Sequence, residues 1–225
     1  MSTRPSRLGR LAGLCLLAAW PGLAAAESFT VSLAGDRLGQ VSYAREGGGA
    51  RLVSTFDSTP FGVFDGRFAA QSQAEGGVVA HSAATRSSRK TRDVSMKIDG
   101  GRVATVSVQP AEEATALSVA AAVPAGVLDP VTAFGRLVDT RGCPDAIRVF
   151  DGRRVAELSL ETAERQGERA FCQLRHKVVA GPGYLAPLEL KSLSLRLDYA
   201  APEGGVWRLE EISARAGIFT VTLAR

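Results

Sequence analysis

From Phe29 onward, apolar and polar residues alternate at every second position, with glycine-rich turns between the runs. A period of two marks strands that show one dry and one wet face. Phe29, Val31 and Leu33 alternate with Thr30 and Ser32; Val41 and Tyr43 follow Gly39; Leu52, Ser54 and Phe56 follow Gly47-Gly48-Gly49. These predict three adjacent strands. A second set runs over 78–85, 94–98 and 103–108, its last two members joined by Asp99-Gly100-Gly101, where glycine accepts the positive φ of a tight hairpin turn. A third hairpin pairs Ile147 and Val149 with Ala156, Leu158 and Leu160 across Asp151-Gly152, and leaves Glu157, Ser159 and Glu161 on a wet face. Further strands are predicted over 171–179, 193–199, 207–212 and 218–223. The total is about ten, at the short spacing of antiparallel sandwiches and barrels.

One helix interrupts this pattern. Asp129 supplies an N-cap carboxylate and Pro130 stands at the first helical position, where its missing N–H is no loss. Val131, Phe134, Leu137 and Val138 then form one apolar stripe at helical spacing that ends near Thr140. A stripe so narrow has to lie on a sheet, and the concave face or open mouth of that sheet is the natural surface. The stretch Phe61 to Gln71, with Gly62, Asp65 and Gly66, reads as loop with some helix. Pro110 to Val127, rich in Ala, Pro and Glu, reads as a connector between two halves of one domain.

The first 26 residues have a different pattern. Arg4, Arg7 and Arg10 precede an apolar run from Leu11 to Leu23, and Ala24-Ala25-Ala26 offers a small-residue cleavage site before Glu27. This is the layout of a secretory signal peptide, too short and too interrupted by Pro21 and Gly22 for a span of about 20 residues. The expected mature product is one β-rich domain over 27–225, periplasmic, with no transmembrane segment. Cys15 follows Leu14, a poor setting for a lipid-bearing cysteine. The leader carries three of the 27 basic residues and no acid, so the remainder has 24 basic against 23 acidic residues. A nearly neutral domain gives no reason to expect nucleic acid as a partner, although the whole chain has a pI near 9.2.

Export also determines how the cysteines are read. Cys143 and Cys172 are an even pair in an oxidising compartment, which predicts a disulfide whose loop contributes about 3.5 kcal/mol through chain entropy. Signatures of chemistry are sparse: the chain has no Gly-x-Ser-x-Gly elbow, no phosphate-binding glycine loop and no His-Glu-x-x-His pair. Two histidines, His81 and His176, do not make a zinc site, and each reads as a packing residue of a strand. Glu112-Glu113 and Glu210-Glu211 read as solvated neighbours. No catalytic, metal or cofactor residue is assigned. The remaining candidate is an anion-binding cluster at a turn, Arg86, Arg89, Lys90 and Arg92, beside Ser87 and Ser88. Arg153 and Arg154 follow the Asp151-Gly152 turn, one placed to pair with Asp151 and the other to keep an edge soluble.

Asp129-Pro130-Val131-Thr132-Ala133, then Cys143, then Val149-Phe150-Asp151-Gly152-Arg153-Arg154, then Cys172, resembles an exported bacterial family known as domain of unknown function 3108. The resemblance covers roughly the last hundred residues and is extended toward the N-terminus by Ser58-Thr59-Pro60-Phe61-Gly62. It implies a single, strongly curved antiparallel sheet or half-barrel, similar to periplasmic lipoprotein carriers, with the short helix packed on it. It implies no activity and no catalytic residue. Two functions follow as expectations. One is a non-enzymatic protein that binds a lipid or other amphiphile in its concave sheet, with the Asp129 helix as lid. The other is an assembly or scaffold protein that meets another envelope protein through a sheet edge or exposed patch.

Overall fold

The computed structural model describes residues 26–59, 65–184, 189–201 and 205–225. The expected leader, apart from Ala26, lies outside them, as do residues 60–62 of the segment that extends the family resemblance and residues 61–64 of the stretch read as loop with some helix. Among the described residues, no helix is long and apolar enough to cross a membrane.

Thirteen strands form one antiparallel sheet: β1 (Glu27–Leu33), β2 (Asp36–Glu46), β3 (Gly49–Phe56), β4 (Gly66–Glu75), β5 (Val78–Ser87), β6 (Thr91–Asp99), β7 (Arg102–Gln109), β8 (Ile147–Phe150), β9 (Val155–Gln166), β10 (Arg169–Ala180), β11 (Ser192–Ala200), β12 (Arg208–Ala216) and β13 (Phe219–Ala224). Their order is β7-β6-β5-β4-β3-β2-β1-β13-β12-β11-β10-β9-β8. Every chain neighbour is thus a sheet neighbour except β7 and β8. The first and last strands pair in the middle, Val31 opposite Leu223, and the sheet's two edges fall at mid-sequence. Register shifts in the β1–β2, β6–β7, β9–β10 and β11–β12 pairings bend the strands and support the strong curvature.

The strand that the alternation misses is β4, which the sequence reads as loop with some helix. Its inward positions are Phe68, Ala70 and Ser72, so its hydrophobic contrast is weak. Gly66 does not break the strand. It lets β4 approach β5, since a Cβ there would lie 2.4 Å from the carbonyl oxygen of Arg86.

The predicted helix is α1 (Pro130–Asp139). It packs against β3, β4, β8 and β12 on the concave face, with Val131, Ala133, Leu137 and Val138 buried. Phe134 is edge-on to Phe29 at 5.9 Å and tilted against Tyr43 at 5.6 Å, and the buried Tyr199 hydroxyl donates to the Leu137 carbonyl at 2.8 Å. Held on several sides, α1 is a fixed plug instead of a lid.

The connector seals the gap between the edges. Three single 3-10 turns, Ala111–Glu113, Ala116–Ser118 and Ala120–Ala122, run beside β7. Gly126 and Val127 then donate to the Gly101 carbonyl, Leu128 donates to Arg148, and Phe150 donates back to Leu128. Around this seam Val94, Met96, Ile98 and Val108 from one edge meet Val127 of the connector and Phe150 and Val155 from the other edge in a second buried cluster.

Candidate functional site

The concave face is divided along its length by α1. By register, Tyr43, Ser72, Cys172 and Tyr199 lie near the rim that carries the Gly47-Gly48, Gly76-Gly77 and Gly167 turns, and α1 sits on them. Toward the opposite rim, which carries Ala34-Gly35, Ser87 to Lys90 and Gly217-Ile218, the inward positions are Leu33, Phe56, Phe68, Leu195 and Val221. These five are only half-buried. On β13 the inward stripe of Leu223 and Val221 continues to Phe219, which is 59% exposed, and Ile218 in the turn beyond it is 90% exposed. Two cavities of about 380 and 340 Å³ lie on the outer, wet face. The larger is lined by the cross-strand row Gln71, Ser82, Ser95 and Ser107, with Arg51 and Asp93.

Beneath the N-terminus of α1 lies a buried polar cluster that the sequence did not reveal as a unit. Asp129 caps the helix as expected, accepting from the backbone N–H of Val131 and Thr132 at 2.9 and 3.0 Å and from the Thr132 hydroxyl at 2.6 Å. The same carboxylate accepts from the Ser72 hydroxyl at 2.6 Å and lies 3.1 Å from His81 Nδ1. Ser72 and His81 face each other across β4 and β5, 2.9 Å apart. Burial works to raise the Asp129 pKa, but the hydrogen bonds from His81, Ser72 and Thr132 outweigh it and hold the carboxyl well below the usual range.

A serine, a histidine and an aspartate in contact invite comparison with a nucleophile relay. That relay needs the serine and the aspartate on opposite ring nitrogens, with the serine proton directed at the ring. Here both oxygens meet Nδ1, and the Ser72 proton points to the carboxylate. The geometry is that of a helix cap with two additional donors.

The turn between β5 and β6 carries Arg86, Arg89, Lys90 and Arg92 as expected, and carboxylates come to three of them. Arg86 pairs with Asp93 at 2.7 Å; Lys90 and Arg92 meet Glu113 at 3.2 and 2.6 Å. Arg89 is exposed and, among the described residues, has no carboxylate partner. Glu113, expected to be solvated, also faces Arg153 at 3.6 Å, and although burial opposes it, the bonds from Arg92 and Lys90 lower its pKa. The cluster thus fastens the connector to the sheet. Arg153, expected at a wet edge, is half-buried against Glu113, while Arg154 pairs with Asp151 at 3.1 Å and stacks 4.1 Å over Tyr184. His176 leans on the same Tyr184 ring at 5.4 Å, and burial lowers its pKa. Among the described residues, no three His, Cys, Asp or Glu side chains converge as metal ligands.

Cys143 and Cys172 are bonded, sulfur to sulfur, and tie the segment after α1 to β10. A family model described as "Protein of unknown function (DUF3108)" matches residues 28–169. The chain belongs to this family. The DUF3108 match begins in β1, earlier than the sequence resemblance placed it, and ends at Arg169, the first residue of β10. It contains the seam, α1 and Cys143, but not Cys172. No curated protein and no solved structure matches the chain.

Proposed function

We propose that this DUF3108 protein is an exported, periplasmic, non-enzymatic protein that binds the apolar part of a lipid or other amphiphile in its concave sheet. The observation that carries the reading is the unequal filling of that face. One half is packed by α1, while the other offers Leu33, Phe56, Phe68, Leu195 and Val221 half-buried and inward-facing, continued toward the rim by Phe219. Apolar area left partly wet inside a concave surface favours an apolar ligand by roughly 25 cal/mol per Å² that it covers. Because α1 is fixed, entry is by the opposite rim, where an amphiphile's polar end stays in water.

Native mass spectrometry of protein purified from its own envelope, followed by organic extraction, tests this directly. A stoichiometric amphiphile is the expected result. In a second arm, Phe68→Asp and Val221→Asp should each weaken binding of a fluorescent fatty-acid probe at least tenfold, whereas Gln71→Asp on the outer face should not. A bare polypeptide together with probe binding indifferent to all three changes rejects the reading.

A further inference from the structure

Glu113 is shared by more positive charge than it can balance. Lys90, from the turn before β6, and Arg92 of β6 meet its carboxylate at 3.2 and 2.6 Å, and Arg153, from the turn between β8 and β9, lies 3.6 Å from it. Arg154 and Asp151 beside them form a pair of their own at 3.1 Å. The group thus sets four cations against two carboxylates, an excess of two positive charges. Of the acids adjoining it in sequence, Asp93 is held by Arg86, and Glu112 is exposed and in no ion pair among the described residues.

This excess is partly withdrawn from water. The side chains of Arg92, Glu113 and Arg153 are 16%, 19% and 15% exposed, so solvent screens the repulsion between the two guanidinium groups incompletely. Burial first, and then the charge of Arg92, lower the Arg153 pKa. Donors are left over as well. Arg92 directs Nε and Nη2 to Glu113 at 3.0 and 2.6 Å, and its Nη1 has no partner among the described residues. Arg153 donates Nε to the Glu113 carbonyl, and neither of its terminal nitrogens makes a hydrogen bond among the described residues. None of these three nitrogens is sealed from solvent. Lys90 keeps N–H groups beyond the one that faces Glu113. A single carboxylate from a ligand would neutralise half of the excess. A phosphate monoester, with a charge of about −1.5 to −2 near pH 7 and three terminal oxygens, matches both the charge and the free donors.

We propose that Lys90, Arg92 and Arg153 bind a dianionic phosphate group beside Glu113, at the rim end of the seam. The cations come from opposite sides of the seam, so the site exists only where the connector joins them. Arg89, exposed one residue before Lys90 and without a carboxylate partner among the described residues, adds to the attraction at its entrance. The site shares no residue with the half-filled concave face. Amphiphile binding and phosphate binding can therefore each fail while the other persists, which separates this inference from the proposed function.

Titration of the isotope-labelled protein with inorganic phosphate, at constant ionic strength and about pH 7.5 so that the anion carries two charges, should give saturable amide shifts around Lys90, Arg92, Glu113 and Arg153. Dimethyl phosphate, a monoanion with the same tetrahedral core, should bind at least tenfold more weakly. Arg153→Gln should weaken phosphate at least tenfold, and Lys90→Gln, a change at a more exposed side chain that the fold tolerates, at least threefold. Arg169→Gln, on the opposite rim, should leave the affinity unchanged. Flotation with phosphatidylcholine vesicles, with and without phosphatidic acid, separates two sources of the phosphate. Capture by the acidic vesicles that Arg153→Gln abolishes assigns it to a lipid headgroup, and binding of inorganic phosphate without capture assigns it to a soluble ester. Shifts that never saturate, dimethyl phosphate bound as tightly as phosphate, or an affinity indifferent to both Lys90→Gln and Arg153→Gln would each overturn the proposal.

Discussion

Asp129 gathers five donors on one carboxylate: two backbone N–H groups of its own helix, the Thr132 hydroxyl, and Ser72 and His81 from neighbouring strands. At 1% exposure it has no water to replace them. Asp129→Ala should therefore cost about 2–4 kcal/mol, the loss of a cap together with buried donors left unsatisfied. Its pH dependence has a definite sign. The folded carboxyl titrates below its unfolded value of about 3.9, so its contribution is complete above that pH and fades as pH falls toward the folded value. Asp129→Asn retains an acceptor but no titration. The stability gap between wild type and Asp129→Asn, measured as urea midpoints, should be widest near neutrality and narrow below about pH 4. A gap that stays constant to pH 2.5 would show that the carboxylate charge is not what the cluster holds.

The helix could be read from its sequence because Asp129, Pro130 and the stripe after them act locally, and a cap needs no knowledge of the rest of the fold. Most strands could be read for the same reason: their inward positions are large and apolar. β4 could not, since Ala70 and Ser72 are small or polar and become meaningful only under α1 and beside His81. Leu160 was expected on the dry face with Ala156 and Leu158, yet it is 40% exposed because the pairing with β8 stops at Leu158, two residues before it. No local pattern records where a neighbouring strand ends. Ser72, His81 and Asp129 are scattered over three elements, and only the sheet register brings them together. Gly135 is another such case. In isolation, Gly→Ala inside a helix should stabilise by up to about 1 kcal/mol. Here a Cβ would lie 2.4 Å from the Tyr43 hydroxyl and 3.1 Å from the ring carbon that bears it, and Tyr43 is itself buried against Phe134. Gly135→Ala should thus lower stability by about 1–3 kcal/mol, as overpacking does. A higher melting temperature for this variant would mean that α1 sits more loosely on β2 than the structure has it.

At the scale of the molecule, an open sheet behaves as a closed body because its two edges share one apolar seam. Backbone bonds to the connector, the ion pairs on Glu113 and the hydroxyl bonds from Thr115 and Ser118 to the Arg153 and Gly152 carbonyls all cross it. The ion pairs are partly solvated and contribute little individually, so the apolar cluster should carry the closure. Phe150 lies at its centre, fully buried on β8, among residues contributed by β6, β7 and the connector. Phe150→Ala should cost about 3–5 kcal/mol. A simple loss of stability is also expected of Leu209→Ala, fully buried on β12 in the main core. The two differ in where the opening occurs. Under conditions where both variants remain folded, hydrogen exchange in Phe150→Ala should quicken together at β6, β7, β8 and the connector, although these segments are far apart in sequence. In Leu209→Ala those segments should keep their protection. Faster exchange at β8 alone would mean that the edges are adjacent without being coupled, and the sheet would then have to be described as two curved halves joined only at β1 and β13.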